Sequence, residues 1–246
     1  MFREMLLVVW IAHLIGVFVL QTDRIAAEKD RKAEAMAVHG VLYALPFAAV
    51  AFLYGGRASF LGTCAALALT HLAIDVSKRW WRIRQPWTYL LDQCLHVLSL
   101  FIAAYALSLA DPAPHPMKVF STMLARMQVP GRESGAILFC VLALGTPCNI
   151  LIRLICHGKP IQARTELGAE EQRTGRVIGI LERMVLLACL WKGEYTALGF
   201  VLTAKSIARF DQIANDRAFA EYYLVGTLLS TLCALTVVAV GKWLAG

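Results

Sequence analysis

Charge is what this sequence has least of. Only 17% of its 246 residues are Asp, Glu, Lys or Arg, against 59% hydrophobic, whereas a soluble domain carries roughly a quarter charged residues. The signatures of familiar soluble enzymes are missing as well: there is no P-loop, G-x-S-x-G, H-E-x-x-H or dinucleotide fingerprint. Segments of about ten residues with alternating hydrophobicity, the mark of a membrane barrel, are also absent. The seven cysteines (Cys64, Cys94, Cys140, Cys148, Cys156, Cys189 and Cys233) form no C-x-x-C pair, and most lie inside apolar blocks. They read as small hydrophobes at helix interfaces, and neither a disulfide framework nor a zinc–thiolate site is expected.

What is present is a series of long apolar blocks, each near the length a helix needs to cross about 30 Å of hydrocarbon. They cover residues 5–21, 36–54, 59–77, 88–110, 134–156, 175–191, 195–207 and 221–244. The first carries His13 at its centre and no convincing small-residue cleavage site follows it, so it reads as a retained membrane helix rather than a secretory signal. Gly55-Gly56 separates the second block from the third, Gln85-Pro86 opens the fourth, and His157-Gly158-Lys159-Pro160 closes the fifth. The sixth and seventh are short and split by Lys192-Gly193-Glu194; they either span or form a re-entrant pair. The expected fold is all-α: a polytopic transmembrane bundle of about eight segments. It forms one integral membrane domain over 1–246, with a His/Asp-bearing four-helix half at 1–110 and a second half at 134–246.

Lys and Arg set the orientation, because cytoplasmic loops retain them. Of the 24 cationic residues, sixteen fall in one set of alternate loops, seven in the other, and Arg183 lies inside the sixth block. The richer set includes Lys29 and Lys78 and faces the cytoplasm, which puts both termini outside. The formal charge of +7 then follows from topology, and no nucleic-acid partner is expected. A cytoplasmic surface that attracts anionic headgroups or phosphorylated substrates fits the same excess.

Orientation assigns depth to the ionisable residues. His13 lies mid-membrane in the first helix, and His39 about one turn inside the second. His71 and Asp75 end the third, and Asp92 and His96 open the fourth. Helices of alternating direction thus bring these groups to one layer near the cytoplasmic face. His71/Asp75 and Asp92/His96 are i,i+4 pairs, each on one helix face. Ionisable residues inside a membrane helix cost at least about 2.5–3.5 kcal/mol and are functional candidates by default. Imidazole with carboxylate suits a divalent transition metal, zinc first and manganese or iron next. His39, His71, Asp75, Asp92 and His96 can make one site, and with His13 a two-metal site. The competing reading is His–Asp hydrogen bonding between helices without metal. His115, in a Pro-rich loop, and His157, at a helix end, are assigned no role.

The second half supplies a candidate substrate recess on the same side. Arg183, Lys205 and Arg209 are its expected anion clamps, with Glu182, Glu221 and Tyr222 beside them. The alternative is local ion pairing of Glu182 or Glu221 with those cations and interfacial anchoring by tyrosine.

Several stretches resemble a bacterial family of multi-pass membrane proteins known as domain of unknown function 3307. In the first half they are His13-Leu14-Ile15-Gly16 through Gln21, Thr70-His71-Leu72-x-x-Asp75 and Leu91-Asp92-Gln93-x-x-His96. In the second they are Gly175-Arg176-x-x-Gly179-x-Leu181-Glu182-Arg183, Ala204-Lys205-Ser206-x-x-Arg209-Phe210 and Glu221-Tyr222-Tyr223-x-x-Gly226-Thr227. The resemblance implies a location in the bacterial inner membrane and no established activity. The family pattern has an acidic residue four positions after the first histidine, where this chain has Val17 before Phe18. A looser resemblance to membrane-bound metal-dependent hydrolases adds an expectation of activity. That activity is hydrolysis at the cytoplasmic leaflet of an anionic, phosphate-containing, lipid-like substrate, with Asp75 or Asp92 as ligand or general base. A proton- or cation-coupled transporter and a non-catalytic assembly or sensor module are the alternatives. Membrane lipids are the expected surroundings, and oligomerisation is left open.

Overall fold

A computed structural model describes residues 1–78, 86–110, 131–156 and 169–246, with 116 and 122 as isolated positions. His115 and His157 lie outside these residues. Helices make up the fold, and there is no strand among the described residues. They are α1 (Phe2–Leu14), α2 (Asp23–Glu28), α3 (Ala33–Leu53), α4 (Ala58–Ser77), α5 (Pro86–Ala110), α6 (Gly131–Leu144), α7 (Thr146–Cys156), α8 (Ala169–Lys192), α9 (Tyr195–Ile207), α10 (Phe210–Asn215) and α11 (Arg217–Ala245). α1 continues as a π-helix over Ile15–Val19.

Local chemistry explains the breaks. The Thr22 hydroxyl accepts the Ile25 N–H at 3.3 Å and, with Asp23 in the first turn, starts α2. Gly55 and Gly56 take φ of +80° and +62° and reverse the chain between α3 and α4; Gly193, at +80°, does so between α8 and α9. Pro46 lies inside α3 and has no N–H to give the carbonyl of Leu42.

Among the described residues six helices are long and apolar enough to cross a membrane: Phe2–Val19, Ala33–Leu53, Ala58–Ser77, Thr88–Ala110, Gly131–Cys156 and Arg217–Ala245. Large hydrophobic side chains project outward from them, among them Phe52 (70% exposed), Leu69 (69%) and Leu109 (66%). Such exposure is unfavourable in water and natural in lipid, so the chain has the make-up of a multi-pass membrane protein.

The expectation of about eight spans is corrected to six among the described residues. α9 has 13 residues, about 20 Å of helix, too short for about 30 Å of hydrocarbon. α8 is long enough but too charged, with Glu170, Glu171, Arg173 and Arg176 followed by Glu182, Arg183 and Lys192.

The chain divides into two compact units, residues 1–142 with 244–246, and residues 143–243. In the first unit α1 lies along α5, α5 along α4, α4 along α3 and α3 along α1, closing a four-helix ring. Leu6, Phe47, Phe60 and Leu100 fill it, and Trp10 sits between Phe101 and Phe139, 6.0 and 4.9 Å from their ring centres. In the second unit Arg183 of α8 joins three elements. It donates to the Leu144 carbonyl (2.6 Å), Asn149 Oδ1 (2.5 Å) and Ser230 Oγ (3.4 Å). Pro147, without an N–H, follows the break between α6 and α7. The guanidinium thus serves a carbonyl at an interrupted apolar helix, the kind of repair hydrocarbon demands.

Candidate metal centre

His39 lies in the second turn of α3, His71 and Asp75 in the last turns of α4, and Asp92 and His96 in the second and third turns of α5. The side chains meet, so the start of α3, the end of α4 and the start of α5 share one end of the ring. All five residues are buried, His39 completely and Asp92 to within 6%.

Asp75 is the hub. Its Oδ2 faces His39 Nε2 at 3.1 Å and His71 Nε2 at 3.6 Å, and those two nitrogens are 2.9 Å apart. Its Oδ1 faces His96 Nε2 at 3.6 Å, and His96 Nε2 is 3.2 Å from Asp92 Oδ1. Two ligand groups result, His39/His71/Asp75 and Asp75/Asp92/His96, which share one carboxylate. Ligand atoms held about 2.0–2.2 Å from one tetrahedral ion are separated by roughly 3.3–3.6 Å. The three edges of the first group and the two His96 edges of the second run from 2.9 to 3.6 Å, so the cluster could hold a metal ion.

Two lysines complete the cluster. Lys29, just after α2, donates to Asp75 Oδ2 at 2.6 Å and lies 3.5 Å from His39 Nε2. Lys78, just past α4, donates to Asp75 Oδ1 at 2.6 Å and stands 2.7 Å from Asp92 Oδ1. Burial works against the Lys78 charge, and the Asp75 and Asp92 carboxylates outweigh it, raising its pKa above the ordinary lysine value. Asp92 Oδ1, although close to Lys78 and His96, receives no well-directed hydrogen bond; Gln93 donates to Oδ2 of the same carboxylate at 3.0 Å. The Nδ1 atoms of His39, His71 and His96 are buried, and none has a hydrogen-bond partner among the described residues.

His13 belongs to neither group. Its Nδ1 is 3.1 Å from the Tyr43 hydroxyl, and its ring lies 5.7 and 5.5 Å from those of His71 and His96. Tyr43 stacks on His71 with centres 3.6 Å apart and planes within 8°. The π-helical turn sets Gly16 against Tyr43 so closely that a Cβ there would stand 3.0 Å from the ring and 3.2 Å from the backbone. Val17 lies within the same turn.

The second-half candidates make the following contacts. Glu182 pairs with Lys205 at 2.6 Å, Glu221 with Arg217 at 3.3 Å, and Arg209 with Gln212 at 3.3 Å. Lys205 and Arg209 lie over the rings of Tyr223 and Phe219, at 5.5 and 5.9 Å, and Tyr222 is half-buried. Arg183 is buried in the packing of its own unit.

Sequence reasoning missed Lys29, Lys78 and Tyr43. Lys78 is three residues after Asp75 and Tyr43 four after His39, spacings that share a helix face. Lys29 carried no comparable signal, because the turn after α2 returns it to the ring.

No curated protein and no solved structure matches the chain. A family model matches residues 5–122, so the second-half motifs from Gly175 onward lie beyond it. That family is described as protein of unknown function (DUF3307), and the matched residues include His13, His39, His71, Asp75, Asp92 and His96.

Proposed function

We propose that the His39/His71/Asp75/Asp92/His96 cluster is a divalent-metal centre, zinc first and manganese or iron next, in a hydrolase of the bacterial inner membrane. The observation that carries this reading is the pair of ligand groups sharing Asp75, in which the imidazole nitrogens lie 3.1–3.6 Å from the carboxylate oxygens. A divalent ion bound there would acidify a water and polarise a phosphoryl oxygen. His39, His71 and His96 would orient it through Nε2. Asp92, whose Oδ1 has no well-directed hydrogen bond, is the candidate to accept the proton from the attacking water. The positive-inside pattern, with an even number of crossings, leaves both termini outside and puts this layer at the cytoplasmic leaflet. A phosphate ester of a lipid-like substrate would meet the ammonium groups of Lys29 and Lys78 at the edge of the cluster.

The test is metal content by mass spectrometry on protein purified without chelator, alongside phosphate-ester hydrolysis in mixed micelles. Wild type should carry the metal and release phosphate, and His71→Ala and Asp92→Ala should lose both. Wild type that takes up no transition metal would exclude the reading.

A second reading is favoured by one observation: Lys29 and Lys78 already neutralise both carboxylates. The cluster then serves as an ion-pair and imidazole relay in a proton- or cation-coupled transporter. His71- and Asp75-dependent flux in liposomes, without hydrolysis, distinguishes this reading.

A further inference from the structure

Each of the two ligand groups has a cation beside it, and the cation is the protein's own. Lys29 Nζ lies against Asp75 Oδ2 and His39 Nε2, at 2.6 and 3.5 Å. Lys78 Nζ lies between Asp75 Oδ1 and Asp92 Oδ1, at 2.6 and 2.7 Å. These are the atoms a metal ion would use in the two groups. An ammonium ion and a divalent ion on the same oxygens compete, because like charges at such separations repel strongly in a buried site.

The lysines also differ from the rest of the cluster in exposure. The Lys29 and Lys78 side chains are 12% and 28% exposed, against 1% for Asp75 and 0% for His39. Both come from just outside a helix end, and the four-carbon stem of lysine lets its head swing to water while the stem stays packed.

We propose that Lys29 and Lys78 are place-holding cations of a two-ion centre bridged by Asp75, each displaced when a divalent ion enters its group. This rests on the metal-centre reading and adds its stoichiometry and its regulation. Uptake of the first ion frees one lysine, and uptake of the second frees the other. Both amines then stand at the rim as positive charges for an anionic substrate.

The test is Mn²⁺ titration of the full-length protein in detergent, followed by electron paramagnetic resonance, on wild type, Lys29→Met, Lys78→Met and the double variant. Wild type should bind two Mn²⁺ per chain. The pair, about 3.5–4 Å apart as in other two-metal sites, should give an exchange-coupled spectrum rather than isolated six-line signals. If each ammonium holds its position at least nine times in ten, its removal should tighten apparent Mn²⁺ binding about tenfold or more. Thermal unfolding guards against misfolding: the variants should melt below wild type without Mn²⁺ and recover with it.

Wild-type binding that is unchanged or weakened in the lysine variants overturns the exchange and leaves the metal centre standing. Variants that bind while wild type does not support place-holding and refute the metal-dependent activity of the natural chain. No Mn²⁺ in any of the four proteins overturns both.

Discussion

Asp75→Asn keeps the shape of the side chain and removes its charge. In the structure that charge faces Lys29 and Lys78, each at 2.6 Å, and His39 at 3.1 Å. Taking one partner from a buried ion pair costs about 3–5 kcal/mol, because the other charge is left without compensation. Here the lysine side chains retain 12% and 28% of their exposure and can turn toward water, so the loss belongs near the lower end, about 3 kcal/mol. For a chain of this length, each kcal/mol shifts the midpoint by about 2–4 °C, giving a fall of about 6–12 °C. Asp92→Asn disturbs one lysine rather than two and should cost roughly half as much. The assay is thermal unfolding in detergent at fixed metal, followed by tryptophan fluorescence. An Asp75→Asn midpoint within about 2 °C of wild type, or a larger fall for Asp92→Asn, would refute the assignment of Asp75 as the hub.

Gly16→Ala forces a Cβ to within 3.0–3.2 Å of Tyr43, an overpacking cost of about 1–3 kcal/mol. It should also weaken metal uptake by shifting the ring stacked on His71, which parallel melting and metal-content measurements would detect. Arg183→Leu leaves the Leu144 carbonyl and Asn149 without their donor and should destabilise by about 1–3 kcal/mol for each buried group; unfolding of a purified variant at wild-type temperature would contradict this. Lys78 has a raised pKa, so its pairing contributes fully below the unfolded lysine pKa of about 10.4 and is lost as pH rises through the folded value. Lys78→Met should therefore be less stable than wild type at neutral pH, and melting curves at increasing pH should show the deficit shrinking only above about pH 10.4.

Much of the cluster was legible because membrane helices simplify depth. Once alternate helices are assigned, a residue near a cytoplasmic end must share a layer with residues near the neighbouring cytoplasmic ends. Depth alone brings His39, His71, Asp75, Asp92 and His96 to one layer. Lys29 and Lys78 were less legible because loop lysines serve topology, and a long side chain can also reach back into the helices from its loop. The π-helical turn at Ile15–Val19 left no mark in the apolar pattern, since valine, isoleucine and phenylalanine fit either helix geometry. The 13-residue apolar run at Tyr195–Ile207 is a helix as expected, and its length alone keeps it from spanning. The second-half cations share a sign, but each has a partner within the protein: Glu182 on the preceding helix for Lys205, and Gln212, three residues on, for Arg209.

The central claim is that these side chains hold a divalent ion. Crystals of the full chain soaked in Mn²⁺, with anomalous scattering recorded on both sides of the manganese edge, test it most directly. An anomalous peak is expected among His39, His71 and Asp75, and a second among Asp75, Asp92 and His96, with Lys29 and Lys78 turned away. Absence of anomalous density in both places, with the two ammonium groups still on Asp75, would contradict it.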